Sequence, residues 1–198
     1  ILSLISQKPC RNLDKILCGE QWVNESFHGY GGLAELTIVE GVMGLFDGIG
    51  TTSKGSTADI SKLLNLPVVL IVNAKGQSAS LAALVKGFRD FDPEVNLAGV
   101  VINNISSSRH EDLLKESLAS IDVAFLGSLP KSDKLNICNT HLGLIPAHEL
   151  LDVEKRIQDW AEIANSNLKM QVFKKLMTSP EFSSNPINKL KSNLDNLN

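Results

Sequence analysis

Four short apolar runs alternate with amphipathic stretches along the first 165 residues. Leu36-Thr-Ile-Val39, Pro67-Val-Val-Leu-Ile-Val-Asn73, Leu97-Ala-Gly-Val-Val-Ile-Asn103 and Val123-Ala-Phe-Leu-Gly127 are continuous rather than alternating, the pattern of strands buried on both faces. Between them the spacing predicts helices over 57–65, with Ser56 as N-cap, and over 80–91, where Leu81, Leu84, Val85 and Phe88 share one face. A third helix runs to about 119 behind a capping box of Ser108 and Glu111, and a fourth covers 149–165 with Leu150, Val153, Ile157, Trp160 and Ala164 on one side. This order predicts an α/β fold, a parallel helix-covered sheet with right-handed crossovers. The first 35 residues fit neither period, apart from a turn at 8–14, a short helix near 14–19 and a glycine-rich loop at Gly29-Tyr-Gly-Gly32.

From Ser166 the character changes to Asn, Ser and Lys with Pro180 and Pro186. Residues 166–198 read as a polar linker or disordered tail, leaving 1–165 as the folded part. A chain of 198 residues with 43% apolar and 21% charged residues buries a proper core. A net charge of −3 gives no electrostatic reason to expect nucleic acid. Cys10, Cys18 and Cys138 form no Cys-x-x-Cys pair and no disulfide framework, which predicts reduced thiols and a cytoplasmic protein. No window approaches the ~18 apolar residues of a membrane span. Ile1-Leu-Ser-Leu-Ile5 is too short and uncharged for a secretory signal, and the missing initial Met predicts an internal fragment.

The candidate chemistry centres on Leu36-Thr-Ile-Val-Glu40-Gly-Val-Met-Gly-Leu-Phe-Asp47-Gly48. In open α/β sheets ligands bind beyond the carboxyl ends of strands, where Glu40 is expected. Gly41, Gly44 and Gly48 let the chain turn and bring Asp47 back toward it. Two carboxylates in one cleft suit Mg²⁺, which takes its other ligands from phosphates and water. The alternative reading has Glu40 opening a solvated loop and Asp47 capping a turn.

Gly50-Thr-Thr-Ser-Lys-Gly55-Ser56-Thr57 has the glycine spacing of a phosphate-binding loop, but Ser56 stands where the phosphate-reaching Lys belongs. What remains is a helix start at Ser56 and Thr57 whose N–H groups can hold an anion. His28, His110, His141 and His148 lack metal-ligand spacing and read as loop or helix-end residues, and Lys75 as a solvated lysine.

The run Val39-Glu-Gly-Val-Met-Gly-Leu-Phe-Asp-Gly48 carries a family resemblance. So do Arg11-Asn-Leu-Asp14, Gly55-Ser-Thr-Ala58, Gly99-Val-Val-Ile-Asn103, Ser108-Arg-His110, Leu126-Gly-Ser-Leu-Pro130 and His141-Leu-Gly-Leu144. In order along about 140 residues, they closely resemble cobyrinic acid a,c-diamide synthase. The resemblance implies an ATP-dependent, glutamine-dependent amidoligase of cobalamin biosynthesis with a dethiobiotin-synthetase-like P-loop NTPase domain. It implies Mg²⁺ and ATP, a corrinoid substrate and a glutaminase domain on the same chain, and it leaves a homodimer open; neither nucleic acid nor membrane is expected as a partner. By this resemblance Glu40 and Asp47 are the metal ligands and catalytic carboxylates. Gly48, Ser56, Thr57, Asn12, Asp14 and His141 lie on the substrate side, while Asn103 meets the adenine and Pro130 lines its pocket. The family's first strand with its Gly-rich loop and Lys is missing, as is the glutaminase, so an incomplete P-loop domain without activity of its own is expected. Asn73 stands where many relatives have Asp, and Asn104 where many have Arg. Two other readings stay open: amidation of a related tetrapyrrole (hydrogenobyrinic acid or a nickel sirohydrochlorin), and a P-loop ATPase of the positioning type.

Overall fold

The computed structural model describes residues 2–135, 139–140, 143–144, 152–177 and 180–183. The elements are, in order, α1 (Leu2–Ser6), α2 (Lys15–Ser26), a π-helical turn (Phe27–Gly31), α3 (Thr57–Leu63), β1 (Val68–Asn73), α4 (Ser80–Phe91), β2 (Leu97–Ile105) and α5 (Ser108–Ala119). Then come β3 (Phe125–Pro130), a 3₁₀ turn (Asp133–Leu135), the short pair β4 (Asn139–Thr140) and β5 (Gly143–Leu144), α6 (Val153–Asn167) and α7 (Met170–Leu176). They fall into two compact units, one made of 1–11, 69–92 and 97–172, the other of 12–68, 93–96 and 173–198.

The first unit holds the sheet, ordered β1-β2-β3. β2 and β3 pair in parallel. Val68 N–H donates to Asn96 before the β1–β2 ladder and Ala74 N–H to Asn103 after it, so β1 runs the same way. Val72, Val100, Ile102 and Ile105 of the strands close a core with Leu81 and Val85 of α4 and Leu114 and Leu118 of α5. Helix-covered parallel strands must be apolar along their length, and that is the pattern the sequence carries. On α4 the predicted face is only partly inward: Leu81 and Val85 are buried, Phe88 is half-buried and Leu84 is exposed.

In the second unit Val23, Phe27, Ile60 and Leu64 pack together, with Leu13, Val39, Leu63 and Leu66 against them. The expected strand at Leu36–Val39 does not form, which leaves three parallel strands instead of four among the described residues. Only Val39 of that run joins a core; Ile38 is 74% exposed and Val42 94%. β-propensity is realised by pairing and packing, and the run has no partner strand among the described residues. The helix expected at 14–19 extends to Ser26, with Gly19 at φ 81° breaking its regularity. The cap of α5 sits one residue early, at Ser107, whose Oγ accepts from His110 N–H; in a Ser106-Ser-Ser108 run each serine satisfies the same pattern.

The boundary expected at 165 falls inside α6, Leu168 bridges to Gly127 of β3, and α7 follows with no buried residue. Trp160 of α6 donates its indole N–H to the carbonyl of Lys134 at 2.7 Å. Leu150 and residue 149 lie outside the described residues.

Leu114 is fully buried in the sheet core. Leu114→Ala is expected to cost about 2–5 kcal/mol through lost transfer energy and a residual cavity, read as a lowered midpoint in urea denaturation with an unchanged slope.

Candidate functional site

In the second unit the candidate residues gather around the first turn of α3. The carboxylate-bearing loop touches that turn at two points. A Cβ on Gly41 would stand 2.7 Å from Thr57 Oγ1, so the residue after Glu40 lies directly against the first residue of the helix. The carbonyl of Leu45 accepts from Ala58 N–H at 2.9 Å. Glu40 and Asp47 are thus carried on two segments that both lean on one helical turn.

Glu40 is exposed and has neither hydrogen bond nor ion pair among the described residues. Asp47 is exposed and closes its own turn: its N–H donates to the Gly44 carbonyl, and its Oδ2 accepts from Gly44 N–H, both at 3.0 Å. Oδ1 of Asp47 and both oxygens of Glu40 remain available as hard donors. No cluster of three or more His, Cys, Asp or Glu suited to a metal occurs among the described residues. Mg²⁺ needs only one or two protein carboxylates when phosphates and water complete its shell, so the donor set fits that ion. Gly48 answers to packing: a Cβ there would run into the carbonyls of Lys54 and Thr52.

The expected anion site at the start of α3 is not left open. Ser56 is 2% exposed, and its Oγ caps the helix by accepting from Asp59 N–H at 3.2 Å. Ala58 N–H is held by Leu45. The carboxylate of Asp59 accepts from Gly55 N–H at 2.7 Å and from Lys15 Nζ at 2.8 Å. Lys15 also reaches Glu20 at 2.8 Å. A negative side chain already complements the positive end of the helix, and the dipole has little left to offer a ligand. Ser56 therefore enters as a cap, as does Asp14, whose Oδ1 accepts from Ile16 and Leu17 N–H at the head of α2. Asn12 is exposed and Thr57 half-buried. His141 lies outside the described residues, as do His148 and Cys138.

In the first unit the carboxyl ends of β1 and β2 bear asparagines. Asn103 is half-buried, and its Oδ1 accepts from Asn104 N–H at 2.8 Å. Asn104 sits at φ 63°, at a break in the β2–β3 register where Asn103 faces Leu129 and Ile105 faces Pro130. Its Nδ2 donates to Asn73 Oδ1 at 3.0 Å, and Asn73 Oδ1 also accepts from Lys75 N–H at 3.1 Å. Pro130, half-buried, closes β3 beside this bulge. Lys75 is exposed, as expected. His28 Nδ1 lies 3.2 Å from the Glu181 carbonyl, and the His110 ring is hydrogen-bonded at the head of α5; neither is placed as a metal ligand.

Sequence reasoning passed over Lys15 and Asp59, and read His110 only as a loop or helix-end residue. A signal for Asp59 was present: Ser56-Thr-Ala-Asp59 has the spacing of an N-terminal capping pair. Burial pushes the Asp59 carboxyl up, but the Gly55 N–H and the Lys15 ammonium outweigh it and hold the group below its ordinary value. The same contact with Asp59, then that with Glu20, holds Lys15 above its ordinary value. A depressed carboxyl stabilises the fold above its unfolded pKa, and that contribution fades as pH falls through the folded one. Asp59→Asn is expected to cost about 1 kcal/mol at pH 7. The gap to wild type should close below about pH 4 when both are denatured in urea across a pH series.

A family model described as an AAA domain matches residues 30–137. The chain is similar to a cobyrinate a,c-diamide synthase of a Synechococcus strain, 39% identical over 194 residues that cover 90% of this chain and 42% of that protein. That of Clostridium tetani is 42% identical over 92% of this chain and 41% of its own length, and that of Syntrophotalea carbinolica 47% identical over 74% and 32%. The resemblance read in the sequence is thus carried by whole-chain similarity. The chain spans less than half the length of these curated relatives. No solved structure matches it. No helix among the described residues is long and apolar enough to cross a membrane. With a parallel, helix-covered α/β sheet and more than half of its residues inside the match, the chain belongs to the AAA domain family.

Proposed function

We propose that the chain is part of an ATP- and glutamine-dependent amidoligase that converts the a and c side-chain carboxylates of cobyrinic acid to amides. The observation that carries this reading is the Glu40–Gly48 loop, which holds one carboxylate without an internal partner in a chain similar to cobyrinate a,c-diamide synthases over 90% of its length.

The reaction asks little covalent chemistry of the protein. A substrate carboxylate oxygen attacks the γ-phosphorus of ATP, the bond to the bridging oxygen breaks, and ADP leaves. Ammonia from glutamine then attacks the acyl carbon, phosphate departs with the bonding electrons, and the nitrogen loses a proton. Catalysis of such a step rests on positioning and on neutralising charge between phosphates and nucleophile. Glu40 and Asp47 would hold Mg²⁺ there, and the cation would supply that neutralisation. Gly48, Thr57, Asn12 and His141 belong to the substrate side of this reading, with Ser56 and Asp14 fixing the helix starts around them. Asn103 would pair with the adenine base and Pro130 would line its pocket, since an asparagine amide offers the donor and acceptor that the adenine N7 and N6 edge requires. In this reading residues 1–165 form part of the synthetase domain, 166–198 a polar linker, and a glutaminase domain belongs to the same chain. The setting is cytoplasmic.

In a chain extended to the length of its relatives, Glu40→Gln is expected to lower glutamine- and ATP-dependent amidation of cobyrinic acid by about 100-fold or more, followed by the mass of the mono- and diamide products. Glu40 has no structural partner among the described residues, so the melting temperature should stay within a degree or two of wild type. Undiminished amidation would overturn the assignment of Glu40, and absence of amidation in the unsubstituted enzyme would overturn the reading as a whole.

A further inference from the structure

We infer that His110, together with the Asn73–Asn104 side-chain pair, is a positioning device that holds the amide of Asn103 in the orientation that selects adenine. This rests on the reading of Asn103 as the base contact.

The device starts from the bulge. Asn103 pairs with Leu129 and Ile105 with Pro130, so Asn104 is the extra residue in β2, and it takes a left-handed backbone with φ 63°. A bulge re-aims the residue beside it; asparagine tolerates the left-handed backbone, and the direction of its side chain is held by what it bonds. Here the hold is the bond from Asn104 Nδ2 to Asn73 Oδ1 across the neighbouring strand end, at 3.0 Å. The same Asn104 presents its backbone N–H to Asn103 Oδ1 at 2.8 Å. That contact settles which end of the Asn103 amide is oxygen, and it leaves the Nδ2 donors without a partner among the described residues. Reversing the amide would set its NH₂ against an N–H.

His110 ties the two flanking loops together. Its Nδ1 accepts from Ser106 N–H at 3.4 Å and lies 3.0 Å from Ser106 Oγ, which assigns the proton to Nε2. Nε2 then donates to the Gln77 carbonyl at 2.7 Å. Gln77 in turn donates from Nε2 to the Asn73 carbonyl at 3.1 Å. The contacts Ser106, His110, Gln77, Asn73, Asn104, Asn103 thus run around the carboxyl ends of β1 and β2, each with a side chain at one end and, at Gln77, Asn73 and Asn104, a backbone group at the other. Gln77 N–H is also held by the Ala74 carbonyl and Asn73 Oδ1 by Lys75 N–H, so loss of the imidazole would loosen rather than free Gln77 and, through its bond to the Asn73 carbonyl, the strand end that pins Asn104. The amide would then sample both orientations, and guanine, with an acceptor where adenine has an amino group, would be rejected less well.

The test compares kcat/KM for ATP and for GTP in the chain extended to the length of its relatives. Their ratio does not depend on how much of each preparation is active. Asn103→Ala sets the scale by removing the contact. His110→Phe is expected to lower the ATP:GTP ratio at least tenfold, mainly through KM for ATP. His110→Gln, which can donate and accept in the same place, should recover most of it. Asn104→Gly keeps the left-handed backbone without strain but gives up the bond to Asn73, and should lower the ratio as His110→Phe does; it serves also if the phenylalanine variant does not fold. A ratio lowered by Asn103→Ala but unchanged in His110→Phe or Asn104→Gly overturns the inference and leaves the base contact standing. A ratio unchanged in Asn103→Ala overturns the base contact and this inference with it.

Discussion

Where a helix begins or a strand ends, backbone N–H and C=O groups lose the partners that regular structure provides, and a buried group without one costs about as much as a lost hydrogen bond. Both candidate regions are built from the replacements. At the head of α3 they are Ser56 Oγ, the Leu45 carbonyl and the Asp59 carboxylate. At the ends of β1 and β2 they are the amides of Asn73, Asn103 and Asn104 and the ring of His110.

The replacements sort the polar residues of one motif by task. Asp59 and Ser56 are taken up in holding the helix start, so they set a surface without offering it a free group. Glu40, next to the packed Val39 but exposed itself, is left over, and Asp47 is half taken up by its turn. Glu40 is thus a carboxylate that the described fold does not use for itself. The Gly41 and Leu45 contacts then explain how a loop without regular structure carries two such groups to a defined place.

Asparagine at the strand ends follows the same logic with a different consequence. Its side chain is a donor and an acceptor of neutral charge, able to stand in for a backbone group and to tolerate a left-handed φ. Asn104 does both at the bulge, and the sheet thereby ends in an arrangement with an oriented amide on it.

The order of strands and helices was legible from the chain alone. Val68–Asn73, Leu97–Ile105 and Ser80–Phe91 are continuous or 3.6-periodic apolar runs, and their burial is a property each segment carries by itself. Ser56 as a cap and a turn closed by Asp47 were legible for the same reason, since capping and turn chemistry act within a few residues. The failed strand at Leu36–Val39, the position of the α5 cap among three serines, the Lys15–Asp59 pair 44 residues apart and the Asn73–Asn104 bond were not. Each depends on which surfaces meet: a β-rich run becomes a strand only beside a partner, and a charged or amide side chain has many equivalent partners until packing leaves one within reach.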